Sequence, residues 1–259
     1  HMGGLKGLGF RWRFDRSMLH PGVRRIIRQT LPRAVGVAVN QLSSIVIVMI
    51  ASGLAAGSIG VFNLAFNLQG VPIGLFGVAF ASAAFPKLSR AWAERDEASF
   101  RAVLSFTLRQ AIFFVLPLAV LFVVLRAQIV RVVYGLGKFG WADTRLTAAA
   151  LALFAFSIVA QAVIPLLARA FYSRHKTAAP VVASIATVAL TVALALVFVP
   201  LLAPAAPLTE TFAGWLKVSG IADIRMLALV AAFSLAALGN LVVIGHKLDA
   251  DDRAIAIGG

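Results

Sequence analysis

From Ala34 to Pro86 the chain runs 53 residues without one charged side chain, although the whole sequence carries 24 Lys and Arg. A single helix of that length would extend ~80 Å, far beyond a ~30 Å hydrocarbon core. The segment must therefore fold back, and Ala55-Ala56-Gly57-Ser58 is the only break of small residues near its middle. Two membrane-spanning helices joined by a tight turn meet this constraint, because each helix satisfies its own backbone polar groups in lipid. The chain is expected to be an integral membrane protein.

Composition supports this reading and narrows the alternatives. Hydrophobic residues make up 61% of the chain and charged residues 13%, outside the usual range for soluble domains. A net charge of +14 on a soluble protein would suggest a nucleic-acid partner. Here the basic residues fall mainly between apolar runs, as they do in cytoplasmic loops of membrane proteins, so no nucleic acid is expected. The absence of cysteine excludes disulfides and thiolate metal sites. The first residues are polar and basic with no apolar core, so no cleavable signal peptide is expected.

Uncharged apolar runs predict six spans, at about 34–54, 59–85, 102–125, 146–168, 178–202 and 226–245. The expected organisation is a basic segment over 1–33, a six-span lobe over 34–245 and a tail over 246–259. The fold class is all-α, a polytopic six-helix transmembrane bundle. Sorting the inter-span segments by side places 17 Lys and Arg on one side and 6 on the other, with Arg109 inside a span. The positive-inside rule then puts both termini in the cytoplasm. Ahead of the first span, Val23, Ile26, Ile27 and Leu31 recur at helical spacing opposite Arg24, Arg25 and Arg28. This pattern fits a short amphipathic helix lying on anionic headgroups, or equally a basic linker.

Polar side chains at membrane depth are costly unless partnered, so they mark helix contacts or a water-filled path. The candidates for a substrate cavity are Asn40, Gln41, Asn63, Asn67, Gln69, Arg109, Gln161 and Asn240. Asn63 and Asn67 share one helix face at i, i+4. For each residue singly, interhelical hydrogen bonding is the alternative. Arg109 is placed near the cytoplasmic start of the third span, where it either snorkels to the interface or faces an interior cavity. Gly70, Pro72, Gly74 and Gly77 form the hinge or packing candidates. Gly70 and Gly74 have the small-xxx-small spacing of close helix approach, and Pro72 frees a backbone carbonyl and permits bending.

No pattern suggests an enzyme or a cofactor. His1, His20, His175 and His246 lie outside the spans and far apart, and no paired carboxylates, nucleophile elbow or phosphate loop is present. No catalytic residue or metal ligand is therefore assigned.

Several stretches carry a family resemblance. Leu31-Pro32-Arg33 followed by Asn40-Gln41, and then Asn63-Leu-Ala-Phe-Asn-Leu-Gln-Gly-Val-Pro-Ile-Gly-Leu-Phe-Gly-Val-Ala79, resemble the MurJ/MviN lipid II flippases. So do Ala84-Phe85-Pro86-Lys87-Leu88-Ser89-Arg90, Tyr134-Gly-Leu-Gly-Lys-Phe139 with Asp143, and Arg169-Ala-Phe-Tyr172 with Thr177 and Pro180. The similarity spans about 20–247 and is densest over the second span.

The resemblance implies a fold of two six-helix lobes plus two further helices, within the superfamily of polysaccharide, drug and oligosaccharide-lipid exporters. This chain would be the second lobe, in the bacterial cytoplasmic membrane, with an N-terminal lobe of the same protein and membrane lipids as partners. The implied function is translocation of lipid II, an undecaprenyl-pyrophosphate-linked peptidoglycan precursor, by alternating access through an interlobe cavity. The sequence departs from the family at Asn67, where alignment on Pro72 places an arginine in many members, and at Gly70, where some are acidic. A transporter for another lipid-linked oligosaccharide or a drug therefore stays open, as does a non-transporting scaffold of cell-wall synthesis.

Overall fold

The structure, a computed structural model, describes residues 38, 41 and 45–258 apart from 136–138, 205 and 222. The expected interfacial helix, Asn40 and most of the start of the first expected span lie outside the described residues. Helical residues at 45–52 lead into a turn whose Gly57 has φ 90, a conformation glycine adopts without steric cost. The chain then forms α1 (Ser58–Ala93), α2 (Glu97–Val124), the short α3 (Arg126–Tyr134) and α4 (Trp141–Ser173). It continues through α5 (Ala178–Leu201), a second short helix α6 (Pro207–Leu216) and α7 (Arg225–Gly258).

Five of these helices, α1, α2, α4, α5 and α7, are long and apolar enough to cross a membrane. A sixth spanning helix is not established among the described residues. The expected segments 59–85, 102–125, 146–168, 178–202 and 226–245 each fall on one of the five, but α1, α2 and α4 reach well beyond them. Polar helix ends explain the extension: a backbone already in helical register continues until a cap stops it. Arg169, expected in a loop, consequently sits inside α4, and residues 246–258 continue α7. The helices α3 and α6 have no counterpart in the expected spans, being too short to leave a hydropathy signal.

Local chemistry explains where the chain turns. Asp96 caps α2 by accepting the Ser99 N–H at 2.9 Å, and Asp143 reaches back to the Gly140 N–H at 2.9 Å ahead of α4. Three helices end on a basic residue with positive φ: Arg95 at 57°, His175 at 60° and Lys217 at 60°. Each is followed by a backbone bond that spans five residues, from Asp96 to Ala91, Lys176 to Phe171 and Val218 to Ala213. This is the Schellman closure, and at Arg95 and Lys217 it puts a cation near the negative end of the helix dipole.

Helix α4 is the centre of the lobe. It packs against α1, α2, α3 and α7, while α5 packs chiefly on α7. Phe62 and Phe66 of α1, Phe154 of α4 and Phe233 of α7 meet edge to face at 5.4–6.5 Å between centroids. Such pairs add about 0.5–1.5 kcal/mol each beyond the area they bury.

Candidate functional site

The site begins with the two faces of α1. Its buried series is Val61, Ala65, Leu68, Pro72, Gly77, Ala81, Ala84 and Leu88. The steps are four or three residues throughout, as a helix face requires, except for one step of five between Pro72 and Gly77. That step falls in a π-helical segment, Ile73–Val78. The extra residue is absorbed there, so both halves of α1 keep the same face on α4. Pro72 immediately precedes it and cannot bond back to the Leu68 carbonyl.

At Gly77 the helices nearly touch. A Cβ there would lie 2.6 Å from both the Cα and the carbonyl oxygen of Ala162 on α4. Arg169 of α4 donates to the carbonyl of Val78, the last residue of the π segment, at 3.1 Å. The Ser82 hydroxyl donates to the same oxygen at 2.7 Å. Gly70 and Gly74 have open space where a Cβ would be, so neither makes the close contact expected of them in this structure. The step of five at the π segment moves the contact to Gly77.

The opposite face of α1 is exposed. It carries Asn63, Asn67, Gly70 and Gly74, then Ala79 and Ser82 beyond the π segment. Polar amides and small residues thus form one stripe along a membrane-capable helix, with the exposed Val71 and Leu75 beside it, and no side chain among the described residues covers it.

The remaining candidates divide differently. Gln69, expected to face a cavity, is buried at 1% exposure on the packing face, where Gln161 donates to its Oε1 at 2.9 Å. Gln161 also donates to Ser157 Oγ at 2.8 Å, and Ser157 approaches Ser234 of α7 at 3.4 Å. These four residues are a hydrogen-bonded chain joining α1, α4 and α7 inside the bundle, the arrangement that holds helices together in lipid. Asn240 is half-buried, with its Oδ1 enclosed and without a hydrogen-bond partner among the described residues. Gln41 is exposed.

Arg109 lies further from the start of its helix than the expected span boundary implied. The helix begins at Glu97, so Arg109 is ~18 Å along it, on the side opposite Leu104, Thr107 and Ala111. On α2 it sits between Leu104, which shares a core with Leu88, and Phe114, which stacks on Phe76 at 5.3 Å. That level is roughly 20 Å along α1 from Asn67. The cation and the two asparagines sit at different levels along the bundle.

The sequence offered no sign of several contacts that shape the site. Tyr134 of α3 donates to the Leu64 carbonyl at 3.2 Å, fixing α1 one residue from Asn63. The buried guanidinium of Arg174 lies 4.5 Å from the Phe100 ring centre and 5.1 Å from that of Trp92, tying the ends of α4, α1 and α2. Only a three-dimensional contact distinguishes these residues from their neighbours. At the other end, Asp223 accepts from the Arg225 side chain at 2.5 Å and from its N–H at 2.9 Å. The Arg225 bond first, and the Ala55 N–H last, hold the Asp223 carboxyl below the ordinary carboxylate range against the opposing effect of burial. Among the described residues no group of His, Asp and Glu is placed to hold a metal ion.

Comparison with known proteins supplies the remaining evidence. The family model for "Lipid II flippase MurJ" matches residues 1–244. The "Lipid II flippase MurJ" of Burkholderia cenocepacia is 32% identical over 187 residues, 72% of this chain and 36% of that protein. The "Probable lipid II flippase MurJ" of Rhizobium tropici is 30% identical over 212 residues, 82% of this chain and 39% of that protein. A solved structure, "Lipid II flippase MurJ, inward closed conformation", superposes with a TM-score of 0.71 at 19% identity, covering 93% of this chain and 46% of that one. The matched part of the chain thus covers less than half the length of each of these proteins.

Proposed function

The chain belongs to the lipid II flippase MurJ family, and from that premise we propose that it is one lobe of a lipid II flippase. The observation that carries the reading is the exposed stripe of Asn63, Asn67, Gly70 and Gly74 on α1. A face of amides and glycines has little affinity for lipid tails. It suits the wall of a hydrated passage shared with a second lobe, which the longer relatives have the length to encode. The amide N–H groups donate to the anionic pyrophosphate and sugar of the headgroup, while the prenyl tail stays in lipid. Small residues between the amides leave room for the sugar. Pro72 and the π segment provide the point at which α1 changes shape as access alternates between the two membrane faces.

In this reading the protein resides in the bacterial cytoplasmic membrane with both termini cytoplasmic, and it transports without catalysing a reaction. Arg126 and Arg145 reach the loop at 216–219, so the ends of α2, α4, α5 and α6 share one side, as the charge bias requires. The cysteine-free sequence makes single-cysteine labelling direct. An impermeant maleimide added to intact spheroplasts should label Ser219→Cys and spare Glu94→Cys, and the reverse pattern would overturn the orientation.

The decisive test of function is lipid II translocation in vesicles reconstituted with the full gene product containing this chain. Replacing Asn63 and Asn67 together by Leu removes bonds worth about 1.5–3 kcal/mol each to a charged group. Translocation is expected to fall by at least tenfold, with thermal stability unchanged. An unaltered rate would refute the assignment of this face to the substrate path.

A further inference from the structure

A second feature lies at the other end of the molecule, between the outer turns of α5 and α7. The short helix α6 presents Leu208, Thr211, Phe212 and Trp215 at i, i+3, i+4 and i+7, one helical stripe. The opposite side of α6 is buried through Ala213 and Leu216, so the stripe is held in place and overhangs a groove. Phe198 and Leu201 of α5, with Leu202 just past its end, form one wall, and Ala228, Ala231 and Leu235 of α7 form the floor. The cavity is about 450 Å³, within the ~300–1,000 Å³ of typical ligand sites. Thr211 is its one polar lining residue.

Cations gather where the groove ends. Arg126 donates to the Leu216 carbonyl at 3.5 Å, next to Trp215. Arg145 donates to Lys217 O at 2.7 and 3.0 Å and to Ser219 O at 2.9 Å. Lys217 itself is exposed. Among the described residues no carboxylate pairs with any of the three, and Glu210 lies at the far end of α6. Bonding to the last α6 carbonyl and to the carbonyls of Lys217 and Ser219 just beyond it accounts for the two arginines. It does not account for a third, exposed cation beside an open apolar groove between membrane-spanning helices.

We propose that the groove and the three cations form a site for one anionic phospholipid. An acyl chain lies along Ala228, Ala231 and Leu235 under α6, and the phosphate is held by Lys217 and the remaining N–H groups of Arg126 and Arg145. Trp215 sits at the boundary between them, where an indole favours the headgroup level. The site is separate from the α1 stripe, so its failure would leave the flippase reading intact, and failed translocation would leave this one intact.

The test uses the full gene product in nanodiscs with phosphatidylglycerol carrying a photoreactive group on one acyl chain. Crosslinks are expected within 198–235, and labelling by the phosphatidylcholine analogue should be several-fold weaker. Ala231→Trp, which fills the groove, should abolish them. Lys217→Asn, which removes the charge while tolerating a positive φ, should lower phosphatidylglycerol labelling about fivefold. Because Lys217 is exposed, that variant tests the proposal even if Ala231→Trp fails to fold. Equal labelling by both lipids, crosslinks mapping elsewhere, or insensitivity to Lys217→Asn would each overturn it. So would competition by a polyprenyl diphosphate but not by phosphatidylglycerol, or protection of the groove by other helices of the longer protein.

Discussion

Helices α4 and α5 are almost equally apolar, α5 slightly the more so, yet they live in opposite surroundings. In the most apolar stretch of α4, 72% of residues are buried inside the protein, against 17% in α5. Alanine is about equally frequent in the two helices, so the difference lies in how the small residues are grouped and where the polar ones find partners. Helix α4 carries a run of Ala148, Ala149 and Ala150, then Ala155, Ala160 and Ala162, with Ser157 and Gln161 among them. Small residues let neighbouring helices approach, and the polar ones find partners on α1 and α7. Helix α5 turns Leu190, Leu196 and Val197 outward, and its Thr187 and Thr191 hydroxyls bond to carbonyls of its own preceding turn. A helix that satisfies its polar groups internally can stand against lipid. Hydropathy therefore reports that a segment enters the membrane but not whether protein or lipid surrounds it there.

The contrast predicts very unequal responses to substitution. Gly77→Val places a branched side chain against the Ala162 backbone, which has no rotamer to move. A loss of at least about 3 kcal/mol is expected, above the common range for overpacking, and thermal unfolding in detergent measures it. Leu196→Ala on the outward face of α5 should stay within about 0.5 kcal/mol in the same assay. A mild Gly77→Val would break the argument that α4 is the rigid centre.

Helix α5 depends on α7, and Asp223 secures the start of α7. Asp223→Asn should cost about 1–2 kcal/mol at neutral pH. Because the folded carboxyl titrates below its unfolded value, its contribution is complete above the ordinary carboxylate range. The contribution begins to fall near the ordinary carboxylate value and disappears only as pH drops through the lowered one, so the gap between the two proteins should narrow steadily below about pH 4. A gap that does not narrow over that acid range would mean the effect is steric.

A modest effect is expected at the polar chain. Gln161→Leu should cost about 0.6–1.7 kcal/mol, and Gln69→Leu combined with it should cost less than the sum of the single changes. Additive losses would show that the two amides do not act together.

Much of this arrangement was legible in the residues. The 53-residue uncharged run, the charged gaps and the lengths of the apolar segments located the membrane-spanning helices to within a few turns. The i, i+4 pair Asn63 and Asn67 marked a face that the fold leaves exposed. Gln69, two residues from Asn67, was grouped with them, but two residues advance a helix by more than half a turn and carry Gln69 to the packing side. Arg109 looked close to a helix start because α2 begins with charged residues that a hydropathy reading assigns to a loop.

The one-dimensional pattern determined that the chain is helical and membrane-embedded, because the cost of placing charge and unpaired backbone in lipid acts on each residue wherever its neighbours lie. Tertiary structure alone decided that the α1 face slips by one residue at Ile73–Val78, that Gly77 rather than Gly70 or Gly74 meets α4, and that α6 roofs a groove beside three cations. Those outcomes depend on which surfaces meet at van der Waals distance. Two helices of equal hydropathy are indistinguishable until their neighbours are in place.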